Sequence, residues 1–220
     1  WLDEQDHFLF VVPGGGIYEV NRKKEIVWTY ETDSVSHDAD RLPNGNTIFV
    51  NAWDKEGDNQ VVEIAPDGKK VFEWKIADSG VSCAEKYTSC NRPKRRGGPP
   101  GDYTHVNAVQ KLEDGSFLVS LRNLNTAVVI AKDLKVIERH QRIRLVHDPR
   151  LESGKLVAIA RRSALLVRDR KPNTTKADGS HYFKYSKKGY SFLRTNERIS
   201  ADLILLTDST HLLVFDRSSK

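Results

Sequence analysis

The stretch HVNAVQKLEDGSFLVSLR (105–122), continued by TAVVIAKDLKVIERHQ (126–141), decides the fold. Its apolar residues recur with period two, and β-branched and aromatic side chains alternate with polar ones between turn signals. The order is strand, turn with Gly or Asp, strand, short loop, strand, turn, strand. SHDADRLPNGNTIFVNAW (36–53) with QVVEIAPDGKKVFEWKI (60–76) repeats that order, as does HDPRLESGKLVAIARR (147–162) with ALLVRDR (164–170) and HYFKYSKK. A shortened copy, SADLILLTDSTHLLVFDR (200–217), reads as the first and second strands of a further unit. A unit of roughly 40–45 residues matches the four antiparallel strands of one propeller blade.

Working outward, FLFVV (8–12), IYEV (17–20) and EIVWTYE (25–31) read as strands two to four of a blade. GGG at 14–16 joins two of them, so it is a hairpin turn and not a phosphate loop, which would lead from a strand into a helix. The sequence therefore predicts an all-β fold: a β-propeller of about five four-stranded antiparallel blades, or six. The ring would be closed by joining N- and C-terminal strands in one blade. Residues 1–220 form a single domain in this reading, with a loop insertion at 77–103.

Composition agrees with a folded globular chain. Of 220 residues, 38% are hydrophobic and 30% charged, too apolar for a disordered tail. No run approaches the ~18 apolar residues of a membrane-spanning helix, so no membrane span is expected. Thirty-five Lys and Arg against 30 Asp and Glu give a net charge of +5, which favours anionic ligands slightly and does not indicate nucleic acid. The basic run Arg92, Lys94, Arg95 and Arg96 lies in the Pro/Gly-rich insertion and reads as a solvated loop. The basic and aromatic residues between Lys171 and Arg198 include HYFKYSKK, which alternates like a strand and is read as one in preference to a single-strand nucleic-acid site. Cys83 and Cys90 also lie in the insertion. Without further Cys or suitably spaced His they point to a local disulfide and an oxidising compartment, not to zinc. Residue 1 is Trp and Met is absent, so the sequence leaves open a trimmed chain and a removed leader.

The first strand of a propeller blade lines the central channel, so whatever opens that strand converges with its counterparts. His37, His105 and His147 each open such a strand in this reading. Seven His placed at random would rarely put three at one phase of a repeat. Arg122 ends the second strand of the blade begun by His105, and antiparallel pairing returns it to the same mouth. A guanidinium beside imidazoles suits a sulfate, phosphate or carboxylate, and Asn107 adds an amide donor for substrate binding. The alternative is that these imidazoles cap strands and bond channel water, with Arg122 in a surface ladder. Asp38 and Asp148 follow their His directly, so they point to the opposite strand face and brace a turn or a neighbouring blade. His7, His140, His181 and His211 fall on outer strands or loops and are assigned no role.

YTHVNAVQKLEDGSFLVSLRNLNTAVVI (103–130) resembles the H-x-N…S-x-R segment of the arylsulfotransferase family of bacterial six-bladed propellers. HDADRLPNGNTIFV (37–50) is similar to that family's His-Asp strand and L-P-N-G-N turn. The resemblance implies sulfuryl transfer from an aryl sulfate to a phenol, independent of an adenosine-phosphosulfate donor and needing no cofactor. A channel His would form a sulfohistidine. Carried over by position, His37, His105 and Arg122 hold sulfuryl oxygens or move protons, and His147 is the nucleophile, with no metal. In the family the nucleophile's strand leads into an L-F-D-N-G-like run, whereas here His147 is followed by LVAIARR, and LLVFD (212–216) lies in the next blade. Partners would be small anionic molecules, and the resemblance together with the Cys pair implies a periplasmic or extracellular location. Two other functions fit the same residues: a non-catalytic propeller binding an anionic ligand or glycan, and a metal-dependent lyase or hydrolase with His37, His105 and His147 as ligands.

Overall fold

A computed structural model describes residues 7–51, 60–76, 81, 104–160, 164–170, 181–184, 193, 195–198, 203–207 and 212–216. The Cys pair and the basic run of the insertion lie outside these residues, as does His211. Among the described residues there is no α-helix, and every sheet is antiparallel with three or four strands. β1 (Phe8–Val12), β2 (Gly16–Val20) and β3 (Ile26–Glu31) form the first sheet. The second is β4 (Val35–Arg41), β5 (Thr47–Asn51), β6 (Gln60–Ile64) and β7 (Lys70–Lys75). The third is β8 (Val109–Lys111), β9 (Phe117–Leu121), β10 (Thr126–Ile130) and β11 (Val136–His140). The fourth is β12 (His147–Glu152), β13 (Lys155–Ala160), β14 (Ala164–Asp169) and β15 (His181–Lys184). The last is β16 (Thr195–Arg198), β17 (Leu203–Thr207) and β18 (Leu212–Asp216).

The turns that separate these strands are made by local side-chain chemistry. In Leu42–Asn46, Ala65–Lys69, Leu112–Ser116 and Ala131–Lys135 the first N–H donates to the last carbonyl, and the fourth N–H donates back to the first carbonyl. The third residue, Asn44, Asp67, Asp114 or Asp133, accepts the N–H two residues on. These side chains favour the turn over a continuing strand. The next backbone is left-handed, which Gly45, Gly68 and Gly115 adopt without a Cβ penalty, while Leu134 holds φ 69 in the same place.

Strand alternation divides the apolar residues between successive sheets. On β5, Phe49 joins Leu9, Ile17, Val35 and Ile64 on one face, and Ile48 and Val50 join Trp74, Phe117 and Val119 on the other. On β9 and β10, Phe117, Val119, Val128 and Ile130 face back, whereas Leu118, Ala127 and Val129 face Val146, Leu156, Ala158 and Leu166 of the fourth sheet. Val157 and Ile159 of β13 then turn to a further cluster with Leu165 and Val167. Middle strands buried on both faces explain why TIFV, FLVSL and TAVVI carry long apolar runs instead of strict alternation.

β4 packs against β8, β8 against β12 and β12 against β16, while β1, β5, β9 and β13 pack against the first strand of the following sheet. β1–β3 thus hold the second to fourth positions, as the sequence indicates. The C-terminal copy differs. Thr195–Arg198 supplies the first strand there, so LILLT and LLVFD are the second and third strands, not the first and second. TNER has too few apolar residues to register in a hydrophobic period.

Candidate functional site

The first strands are irregular where the histidines sit. The β4–β5 ladder breaks between Val35 and Ala39, around His37 and Asp38. The β12–β13 ladder breaks between His147 and Arg150, and Asp148 there has φ 42. His105 does not open a strand: it precedes β8 in irregular backbone, with φ 49. The last ladder residues of the three first strands are Arg41, Lys111 and Glu152, which follow their histidines by four, six and five residues. One phase in the repeat is therefore not one height on the strand.

His37 and His105 nevertheless meet. Their rings lie edge to face with centroids 5.3 Å apart, although they come from different sheets. His37 is exposed and its Nδ1 lies 2.8 Å from the Ser36 hydroxyl, whereas His105 is half-buried.

Arg122 lies one residue beyond β9 and opens a single 3-10 turn, Arg122–Leu124. That turn is clamped between the segments that carry His105 and His147. On one side the Asn123 N–H donates to the Thr104 carbonyl, next to His105, at 3.0 Å. On the other, Asn125 Oδ1 accepts the Leu145 N–H at 2.8 Å, and the Asn125 carbonyl accepts the Ile143 N–H at 2.9 Å. Arg122 Nη1 donates to Asn123 Oδ1 at 3.2 Å. Asn107 adds a second link, because its Nδ2 donates to the Val146 carbonyl, just before His147, at 3.3 Å. Asn107 is buried, and Ser120 serves it as a hub: the Ser120 hydroxyl donates to Asn107 Oδ1 at 2.6 Å and accepts the N–H groups of Asn107 and Ala108 at 3.1 and 2.9 Å.

His147 is buried, and its Nδ1 lies 2.8 Å from the Leu145 carbonyl. A carbonyl only accepts, so Nδ1 carries the proton, and in the neutral tautomer with this bond the lone pair is on Nε2.

Asp38 bears out the bracing role read from its place after His37: its carboxylate accepts the Val109 N–H of β8 at 2.9 Å. Asp148 is held by Arg150, whose Nε donates to Asp148 Oδ1 at 3.0 Å and whose Nη1 donates to Asp40 Oδ2 at 3.1 Å. Desolvation, then the negative charges of Asp40 and Asp148, push the Asp38 pKa up to about 8 against the pull of Arg150 and the Val109 bond. Sequence reading gave no role to Asn123, Asn125 and Arg150, and placed Ser120 only as part of the H-x-N…S-x-R string. Ser120, Asn123 and Asn125 share the string S-x-R-N-x-N, in which both amides follow the arginine.

No group of three or more His, Cys, Asp or Glu among the described residues is arranged to hold a metal ion. The three-histidine ligand set considered for a lyase or hydrolase is therefore not formed. A cavity of about 370 Å³ opens at the other end of the first strands, lined by Gln110, Lys111, Glu152 and Arg170 among others, and contains none of the four candidate catalytic residues. No helix among the described residues is long and apolar enough to cross a membrane.

Residues 15–153 match the arylsulfotransferase (ASST) family, a span that includes His37, His105, Asn107, Arg122 and His147. No curated protein matches the chain. Among solved structures, a protein of unknown function from Bacteroides caccae superposes with a TM-score of 0.64 at 11% identity, over 96% of this chain and 74% of that one. A virginiamycin B lyase from Staphylococcus aureus with quinupristin gives a TM-score of 0.56 at 12% identity, over 100% of this chain and 69% of that one. YCF48 bound to D1 peptide gives 0.58 at 13% identity, over 96% and 61%. Neighbours of this kind have propeller-like folds, and at such identities the likeness is one of fold alone.

Proposed function

Since the chain belongs to the arylsulfotransferase (ASST) family, we propose that it transfers a sulfuryl group from an aryl sulfate to a phenol through a sulfohistidine on His147. The observation that carries this reading is the edge-to-face contact of His37 and His105 at 5.3 Å, beside the turn that bears Arg122. Two imidazoles from neighbouring sheets and a guanidinium would form a cationic, proton-handling site suited to a sulfate ester.

In the first half-reaction the Nε2 lone pair of His147 attacks sulfur, and the bond from sulfur to the aryl oxygen breaks. The phenolate takes a proton from His37 or His105 as it leaves. Arg122 and the second amide hydrogen of Asn107 offset charge on the sulfuryl oxygens. In the second half-reaction an acceptor phenol gives its proton to the same imidazole pair and attacks sulfur, and the N–S bond breaks. Neutral imidazole is a competent nucleophile near pH 7, and dividing the transfer lowers each barrier.

Ring closure belongs to the same proposal. β1 is the edge strand of its sheet, where the other four sheets carry a first strand. Phe8, Phe10 and Val12 leave an apolar stripe exposed beside that edge. A first strand added at that edge would complete the sheet and bring the first strands around one channel in a ring of about five blades. A periplasmic or extracellular location follows from the same reading.

The test is transfer from 4-nitrophenyl sulfate to phenol, with mass analysis for an acid-labile addition of sulfuryl mass on the His147 peptide. His147→Ala should abolish both. Full turnover in that variant overturns the assignment. Saturable binding of the sulfate ester without any product would make the protein a non-catalytic anion binder instead.

A further inference from the structure

We propose that Arg150 is a positioning residue for His147, clasping Asp148, the next residue in the chain, to Asp40 on the strand that bears His37. The inference rests on the reading of His147 as the reacting group.

The guanidinium uses two edges of its fork, Nε toward Asp148 at 3.0 Å and Nη1 toward Asp40 at 3.1 Å. The pairs are largely shielded, with side-chain exposures of 14% for Arg150, 5% for Asp148 and 17% for Asp40, so solvent screening is limited. The clasp acts where the backbone is least regular. Asp148 is left-handed and the β12–β13 register shifts between His147 and Arg150, so the residue after His147 lies at an irregularity of the ladder. A non-Gly residue in this conformation is held there by its surroundings. Arg150 supplies that hold from β12 itself and anchors it on β4. Asp38, bonded to the Val109 N–H, carries the connection to β8. Side chains thus link β12 to β4 and β4 to β8.

The tautomer of His147 depends on this backbone, because the acceptor of its Nδ1 proton is the carbonyl of Leu145, two residues earlier. If the segment relaxes, that hydrogen bond loosens and Nε2 no longer points in a fixed direction. Lysine keeps the charge of Arg150 but cannot span two carboxylates with a planar fork.

The experiment uses the full chain with Arg150→Lys, and Asp40→Asn as a second variant that cuts the clasp while keeping Arg150. Histidine-ring ¹⁵N NMR reads the tautomer of His147, whose resonance is assigned by its loss in His147→Ala, and steady-state transfer from 4-nitrophenyl sulfate reads kcat and KM. The wild type should show the single Nδ1–H form. Arg150→Lys should show a mixture of tautomers, with kcat lower by about tenfold to a hundredfold and KM within about twofold. Asp40→Asn should change both readouts in the same direction by less, and it decides the matter if Arg150→Lys does not fold. A wild-type tautomer in both folded variants overturns the clasp. Absence of transfer in the wild type counts against the reaction alone, because the ring spectra still decide the role of Arg150.

Discussion

The Asp38 carboxyl group of β4 accepts the backbone N–H of Val109 on β8 at 2.9 Å, so a side chain links the two sheets. The bond comes with a proton held at neutral pH. Desolvation and the nearby charge of Asp40 raise the Asp38 pKa from 3.8 to about 8, against the pull of Arg150. The unfolded chain releases this proton near pH 4 and the folded chain near pH 8. Asp38 therefore contributes fully below pH 4, and its contribution is lost as pH rises from about 4 to 8. Asp38→Asn keeps the oxygen that accepts from Val109 and removes the titration. Urea unfolding from pH 5 to pH 9 should show wild-type stability falling relative to Asp38→Asn, with the variant the more stable at pH 9. Parallel curves would refute the shift.

Ser120 should be among the most sensitive buried polar positions. Its hydroxyl accepts two backbone N–H groups and donates to Asn107 Oδ1 with no solvent exposure. Ser120→Ala leaves two donors and one acceptor short of this partner, at a cost of about 2–3 kcal/mol in urea unfolding. Because Asn107 also donates to the Val146 carbonyl, the same variant should weaken sulfate-ester binding. Ser120→Thr keeps the hydroxyl and should retain more of the stability than Ser120→Ala.

Local chemistry was readable from residues alone, and long-range polar chemistry was not. The P-N-G and E-D-G strings announce their turns because Asn44 and Asp114 bond their own backbone two residues on. The period-two runs announce strands, and their order announces the repeat. His105 was misplaced onto a strand because a left-handed residue and an irregular approach leave no trace in a hydrophobic period. Arg122 fell one residue outside its strand for a related reason, since the 3-10 turn that takes it begins where the apolar alternation stops. The pairing of Arg150 with Asp40 joins residues 110 apart in the chain, and neither neighbourhood marks the other. Blade-to-blade packing brings them together.

His140 tilts stability with pH in the opposite direction to Asp38. Its side chain has no solvent exposure, and burial and the charge of Arg168 hold its pKa below the usual 6.5 against the opposing effect of Glu138. The unfolded chain takes up a proton below about pH 6.5 while the folded chain resists it, so stability is lost as pH falls through this range. His140→Leu fills similar space without titrating. Between pH 7 and pH 5 the wild type should lose stability relative to this variant, as read by chemical unfolding at each pH. An equal loss in both would show that His140 is not the source.

Gly16 should tolerate no side chain. It starts β2 with φ 142, and a Cβ built there would stand 2.5 Å from the Tyr30 carbonyl oxygen and 3.1 Å from the Glu31 Cα on β3. Both obstacles are backbone of a paired strand, since Gly16 is in register with Glu31, so neither can swing aside. Gly16→Ala should therefore push β2 from β3 and cost roughly 3 kcal/mol in urea unfolding. Gly14 is the control within the same GGG turn: it has φ 73 and open space around its Cβ position, so Gly14→Ala meets backbone strain without a clash. Its cost should stay near 1 kcal/mol, about that of a left-handed Ala. Equal losses at the two positions would mean that conformational strain, and not the approach of β3, sets the requirement for glycine at position 16.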